Sequence, residues 1–470
     1  MSSTKSKQST IVALLLAGTF IAILNQTLMI TAIPPVMEEM NITANSAQWL
    51  TTVFMLVNGI MIPVSAFLLE RFTTRQLFLS AMGIFAIGTL VAGLAPNFGM
   101  LLLGRMIQSS GAGIMLPLMQ TVFLMIFPVH KRGAAMGLVG LVISFAPAIG
   151  PALSGWVTET YSWRVLFFII LPIAIIDIIV AFFALKNVTE VTRPKVDVLS
   201  IVLSSVGFGG LLYGFTAAGN YGWTDGSTII SLGIGTISLV WFIKRQLRLK
   251  HPMLEFRVFT YSLFPIAIII GAITFMGLIG AETLIPLFMQ NMRGFTAFEA
   301  GLAILPGALI TGLMSPFIGR IFDRIGARWL VIGGLLLITA SSFTFMDVGP
   351  STSFTFIMVM YSIRMFGLAM VMMPVSTAAL NQLPKRLIAH GAAMDNTMKM
   401  IAASVGTAIL VTVMTSATEN AQQRPEIVHP DMYGAQISFI VIAVLSLISF
   451  LISFKIKDQK LAGKEFGEKN

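Results

Sequence analysis

Long apolar runs alternate with short polar breaks along almost the whole chain. A membrane-crossing helix needs about 20 mostly apolar residues. That length predicts fourteen spans, at 10–33, 47–69, 76–95, 98–126, 133–158, 163–185, 197–218, 227–247, 261–290, 298–320, 328–347, 352–382, 389–417 and 434–455. The opening MSSTKSKQST is polar, and the apolar run after it is too long for a signal peptide. It reads as a cytoplasmic tail leading into a retained first helix.

The polar breaks carry a pattern of their own. GRIFDRIGAR, 319–328, lies between two apolar runs and holds Arg320, Asp323, Arg324 and Arg328. A weaker copy, AFLLERFTTR at 66–75, puts Glu70-Arg71 in the place of Asp323-Arg324 and Arg75 in that of Arg328. The copies follow the second and tenth predicted spans. A second internal match joins RMIQSSGAGIMLP at 105–117 to RMFGLAMVMMP at 364–374. The expected organisation is an N-terminal six-helix bundle, 1–195, an inserted helix pair with its linker, 196–257, and a C-terminal six-helix bundle with a basic tail, 258–470. Parallel repeats with a site near the midplane are a secondary-transporter plan.

Composition supports the membrane reading and removes others. The 470 residues are 56% hydrophobic and 11% charged, against about 25% charged in soluble domains. The net charge of +10 sits in short loops between spans and so implies no nucleic-acid partner. With both termini inside, 24 of the 30 basic residues fall in inner loops and three in outer loops. That asymmetry predicts a cytoplasmic N-terminus and an even span count. Without Cys there is no disulfide or thiolate metal site. The four His, at 130, 251, 390 and 429, are read as loop residues without metal-ligand spacing. No cofactor and no metal is expected.

Several motifs together resemble the major facilitator superfamily, in its fourteen-helix drug:proton antiporter branch (EmrB/QacA-type), and within it the lincomycin-resistance (LmrB-like) exporters. These are FIAILNQTLMITAIPP (20–35), the Arg105…Gln108…Gly111-Ala-Gly113 block with Ser109 where Gly is usual, and APAIGPALSG (146–155). SWRVLFFIILPI (162–173), LIPLFMQNMRGFTAFEAGLAILPGAL (284–309) and NTMKMIAASVGTA (396–408) complete the set, the last with Lys399 where Arg is usual. The resemblance covers nearly the whole chain. It implies an all-α polytopic fold of two six-helix repeats plus an inserted pair, in the bacterial plasma membrane, a monomer by default. It also implies proton-driven export of hydrophobic drugs, with membrane lipids around it. The alternative is a proton-coupled exporter or importer of one endogenous metabolite or lipid.

Charges inside spans carry the candidate chemistry. Each costs about 2.5–3.5 kcal/mol at a helix centre and needs a partner or a cavity. The acids are Asp177, Glu282 and Asp395, and the bases Arg105, Arg364 and Lys399, which allows three pairs. Glu282, in GLIGAETLIP beside Pro286, is the first choice for proton carrier. Asp395 lies four residues before Lys399, so a simple ion pair competes with a transport role. Asp177 ranks third, on a helix expected to face the inserted pair or the inner rim. Arg105 and Arg364 are fixed positive charges that can drive proton release from a neighbouring acid. For Arg105, snorkelling to the headgroups is the competing reading.

Asn25 and Gln26 at the centre of the first span, Gln108, Met372 and Glu282 form the expected substrate-binding set. Asn25 stands where the branch often has Asp, and it cannot carry a proton. Methionines such as Met372 suit adaptable binding surfaces. Gating is expected at Glu70, Arg71, Asp323 and Arg324, and at the bend made by Pro147, Gly150 and Pro151. A carboxylate between two helix ends can cap a neighbouring helix N-terminus and act as a latch. Arg71 and Arg324 alone would serve as topological anchors. The loops show no catalytic grouping, so an enzyme is not expected, and no phosphate-binding loop suggests ATP drive. GNYGWTDGS, 219–227, is expected at the outer surface.

Overall fold

The computed structural model describes residues 2–189, 191–192, 194–424 and 426–456. Arg193 and the basic tail beyond Ile456 lie outside the described residues. The described chain is helical throughout, with no strand. Its long helices are α1 Ser2–Met40, α2 Ala44–Arg71, α3 Thr74–Gly93, α4 Phe98–Ile126, α5 Arg132–Thr160, α6 Arg164–Ala184 and α7 Val198–Tyr221. They continue with α8 Gly226–Arg248, α9 Leu263–Leu287, α10 Ala297–Ile325, α11 Arg328–Thr344, α12 Phe354–Asn381, α13 Ile388–Gln422 and α14 Pro430–Ser453. All fourteen are long and apolar enough to cross a membrane. The expected count therefore stands.

Local chemistry sets the helix ends. Thr43, Thr73, Thr296 and Ser353 accept hydrogen bonds from first-turn amides of α2, α3, α10 and α12. Thr73 and Thr296 form complete capping boxes with Gln76 and Glu299. Gly326, at φ +81°, closes α10 with its N–H on the Phe322 carbonyl. Large apolar side chains such as Phe183, 81% exposed, and Phe298, 75% exposed, point outward, as helices solvated by lipid require. Small residues bring backbones together instead: a Cβ on Gly104 of α4 would lie 2.6 Å from the Ala92 nitrogen of α3.

The chain forms two compact units. The first comprises the residues up to Ile126, Leu141–Val258 and Leu383–Thr412. In it α4 packs on α1, α2 and α3, α6 packs on α1 and α3, and the α7–α8 hairpin lies against α2. The second comprises Phe127–Gly140, Phe259–Gln382 and the residues from Val413. There α12 packs on α9, α10 and α11, and α14 packs on α9 and α11. Thus α5 begins in the second unit and ends in the first, while α13 does the reverse.

Candidate functional site

In the first unit Arg105 is completely buried, so it does not snorkel. Its Nη1 donates to Asn25 Oδ1 at 2.6 Å and to Gln108 Oε1 at 2.8 Å, and Nε donates to the Leu50 carbonyl at 3.4 Å. The Phe54 ring lies 4.2 Å from its Cζ. Gln108 in turn donates to Thr89 Oγ1 at 2.8 Å. Nη2 has no hydrogen-bond partner. This guanidinium is solvated by amide oxygens and an aromatic face rather than by an acid, because Asn25 occupies the position facing it. Gln26, the next residue on α1, is half-buried.

The expected three acid–base pairs reduce to one direct contact among the described residues. Lys399 donates to Asp395 Oδ2 at 2.8 Å, both buried on α13. One turn of helix brings this pair together. Beside it, Asn396 Nδ2 donates to Gln120 Oε1 of α4 at 2.7 Å, and Gln120 Nε2 has no partner. Asp177 faces α1 rather than α7 or α8. It is buried against α1, where a Cβ on Gly18 would come 2.9 Å from its Oδ2. That oxygen has no hydrogen-bond partner. Helix α6 packs on α1 and α3, which turns this face of it inward.

In the second unit Glu282 of α9 is exposed. It makes no ion pair with Arg364. Arg364 instead donates from Nη2 to the Gly277 carbonyl at 2.8 Å and from Nη1 to Ser342 Oγ. Tyr361, one helical turn before Arg364, is fully buried and its hydroxyl has no partner. Sequence reasoning misses Tyr361 and Ser342, since a lone Tyr or Ser in an apolar run carries no signal. Met372 on α12 is half-buried.

The two charged turns end in different contacts. Asp323 caps α5: its Oδ1 accepts the Gly133 N–H at 2.7 Å and its Oδ2 the Ala134 N–H at 2.9 Å. Arg132 at the same helix start donates to Asn381 Oδ1 of α12 at 2.9 Å. Arg324 is exposed. Glu70 contacts His390 Nε2 at 2.9 Å instead of backbone amides, and Arg71 donates to the Pro194 carbonyl at 2.7 Å. His390 is not a loop residue: it lies in the first turn of α13 and is buried. The signal that could have found it is the repeat of GAAM, at 133–136 after Arg132 and at 391–394 after His390.

Pro147 and Pro151 lie inside α5, and Gly150 packs on α1, where an added Cβ would come 2.8 Å from Thr27 Cβ. At the hairpin tip, Trp223 Nε1 donates to Thr412 Oγ1 at 2.7 Å.

Fourteen membrane-crossing helices with acids and fixed cations held inside the spans define a polytopic membrane transporter. Residues 15–407 match the model of the Major Facilitator Superfamily, and the chain belongs to that family. It is 55% identical over 450 residues to the "Uncharacterized MFS-type transporter YcnB" of Bacillus subtilis, covering 96% of this chain and 95% of that one. It is 41% identical over 459 residues to the "Lincomycin resistance protein LmrB" of Bacillus subtilis, covering 96% of each. The fold is shared with the human organic anion transporter MFSD10 (TETRAN), at a TM-score of 0.68 and 14% identity, over 95% of this chain and 99% of that one. The protein is thus a multi-pass plasma-membrane transporter and not an enzyme.

Proposed function

We propose that this protein is a proton-coupled multidrug exporter of hydrophobic and amphipathic compounds, working by alternating access. The lincomycin-resistance relatives support the substrate class. The observation that carries the coupling is Glu282, an exposed acid within a span that makes no ion pair with Arg364. An acid in that position is free to exchange a proton, and Arg364 favours its release. Asp177, buried without a base, serves as the second proton site, and Asp395 answers through Lys399. Asn25, Gln26, Gln108 and Met372 hold the drug by hydrogen bonds and adaptable apolar contact.

Two six-helix bundles rock about the bend at Pro147, Gly150 and Pro151, with the basic loops and both termini in the cytoplasm. The Asp323 cap on α5 and the Glu70 contact on α13 are the latches that close the inner side. Proton uptake at Glu282 from outside accompanies drug exit, and proton release inward resets the cycle. The transporter is a monomer in its lipid surroundings and needs no cofactor beyond the gradient. The test is lincomycin efflux from loaded vesicles under an imposed pH gradient. Glu282→Gln should lower the gradient-driven rate about tenfold or more, the size of ordinary coupling energies, with Asp395→Asn losing less. Efflux that ignores the gradient would sink the antiport reading. Full gradient-driven transport in both variants would remove the site assignment and leave the family intact.

A further inference from the structure

The inserted pair α7–α8 is tied at both of its ends to the turn that carries Glu70. On the entry side, the Thr192 N–H donates to the Glu70 carbonyl at 3.0 Å and Arg71 donates to the Pro194 carbonyl at 2.7 Å. Asp197 then caps α7 and binds Arg245 of α8, at 3.0 Å from its Nε. On the exit side, Gln246 donates to Ser200 Oγ at 2.7 Å and accepts the Met253 N–H at 2.6 Å. The last link is a histidine. The Glu255 N–H donates to His390 Nδ1 at 3.3 Å, and His390 Nε2 meets Glu70 Oε1 at 2.9 Å.

This geometry fixes the protonation state of the ring. Nδ1 accepts from a backbone N–H, so it carries no proton. Nε2 faces a carboxylate oxygen, so it carries one. Only the neutral Nε2–H tautomer satisfies both neighbours. A second proton on Nδ1 would set two donors against each other and break the bond to Glu255, while the new charge would strengthen the bond to Glu70.

We propose that His390 is a positioning residue that straps the inserted helix pair to the Glu70 latch when neutral and, when protonated, releases the strap and grips Glu70 alone. The other charged groups around the ring are consistent with this exchange. Glu70 comes from α2. Glu255 comes from the linker, with its carboxylate engaged by the Arg257 N–H at 3.1 Å. Arg71 is turned to Pro194, and Lys385 and Arg386 in the turn before α13 are exposed. The inserted pair thereby gains a role: it senses the protonation of the latch side and stiffens the latch from behind. The inference uses the latch reading but neither the drug nor the gradient.

The chain has no cysteine, so a single introduced thiol reports directly. Leu254→Cys, buried in the strap, and Lys250→Cys, exposed near it, would each be labelled with a maleimide in open membrane fragments. Dividing the labelling rate of the Leu254→Cys variant by that of the Lys250→Cys variant removes the general fall in thiolate as pH drops. Between about pH 8 and about pH 5.5 that ratio should rise roughly threefold or more on acidification. With His390→Gln, which keeps a donor for Glu70 and does not titrate, the ratio should stay flat. Met253→Cys gives the same readout if Leu254→Cys does not accumulate. A flat ratio in the parent, or an equal rise in His390→Gln, would overturn the proposal. Neither result depends on transport, so failure here leaves the exporter reading standing.

Discussion

At the end of α10 an aspartate reaches the bare amides of the α5 start, whereas at the end of α2 a glutamate reaches the α13 start through a ring. The sequences around the two contacts are close: RGAAM faces Asp323 and HGAAM faces Glu70. Glycine accounts for the difference. Gly319 and Gly133 let the α10 and α5 backbones touch, since a Cβ on Gly319 would lie 2.7 Å from the Gly133 carbonyl carbon. The short Asp then spans the remaining distance. Ala66 holds the place of Gly319 in the first copy and is itself fully buried. There the contact is made by a longer acid and an imidazole. The tight contact is held by two charge-assisted bonds from backbone amides at a helix N-terminus. The looser contact runs through the His390 ring instead.

The largest effect should follow from damaging the tight contact. Gly319→Ala puts a methyl into backbone that cannot give way, at a cost of about 1–3 kcal/mol for the overpacking alone. It also withdraws Asp323 from two amides, each charge-assisted bond contributing about 1.5–3 kcal/mol. Efflux should fall by about tenfold or more, with normal amounts of protein in the membrane. The reciprocal change Ala66→Gly should alter efflux little. Equal sensitivity at both positions would remove glycine as the cause of the difference.

A smaller effect is expected at Glu70. Glu70→Gln keeps an oxygen that accepts from His390 Nε2, so efflux should fall only a few-fold, within the range of about 0.5–1.5 kcal/mol for a neutral hydrogen bond. Glu70→Asp keeps the charge but is one methylene short, and should lose more than Glu70→Gln. The opposite order would mean that charge rather than reach governs this latch.

The spans, their number and both charged turns are legible in the sequence because each rests on a local signal: apolar length, or a cluster of charges at a break. Asp395 and Lys399 are legible for the same reason, being one helical turn apart. Contacts made by residues with no neighbour in sequence are not. On sequence alone Arg105 seeks an acid, and only the packing of α4 on α1 and α2 reveals that Asn25, Gln108 and Phe54 surround it instead. The packing of Asp177 against α1 is not legible either, since the orientation of α6 is set by α1 and α3 and not by its own nearly uniform apolar run. Thr73 replaces the glycine of the charged turn because it caps α3 in a box with Gln76, a reason visible only once the helix start is placed.

The last expected effect concerns Asp197 and separates the two sources of acid sensitivity in the strap. Burial pushes the Asp197 carboxyl up, but hydrogen bonds from Ser200 and the contact with Arg245 outweigh it and hold the group below the usual carboxylate range. A carboxyl lowered on folding contributes stability above its unfolded value, about 3.9, and that contribution is lost only as pH falls through the still lower folded value. At neutral pH it is therefore fully present and flat. Asp197→Ala should lower the unfolding temperature of the detergent-solubilised protein by an amount equivalent to about 0.5–2 kcal/mol, as loss of a helix cap does. That deficit should be the same at every pH from about 6 to about 8, because Asp197 stays ionised throughout this interval. Loosening of the strap in the same interval must then arise at His390. A deficit that shrinks as pH falls from about 8 to about 6 would assign the acid response to Asp197 and not to His390.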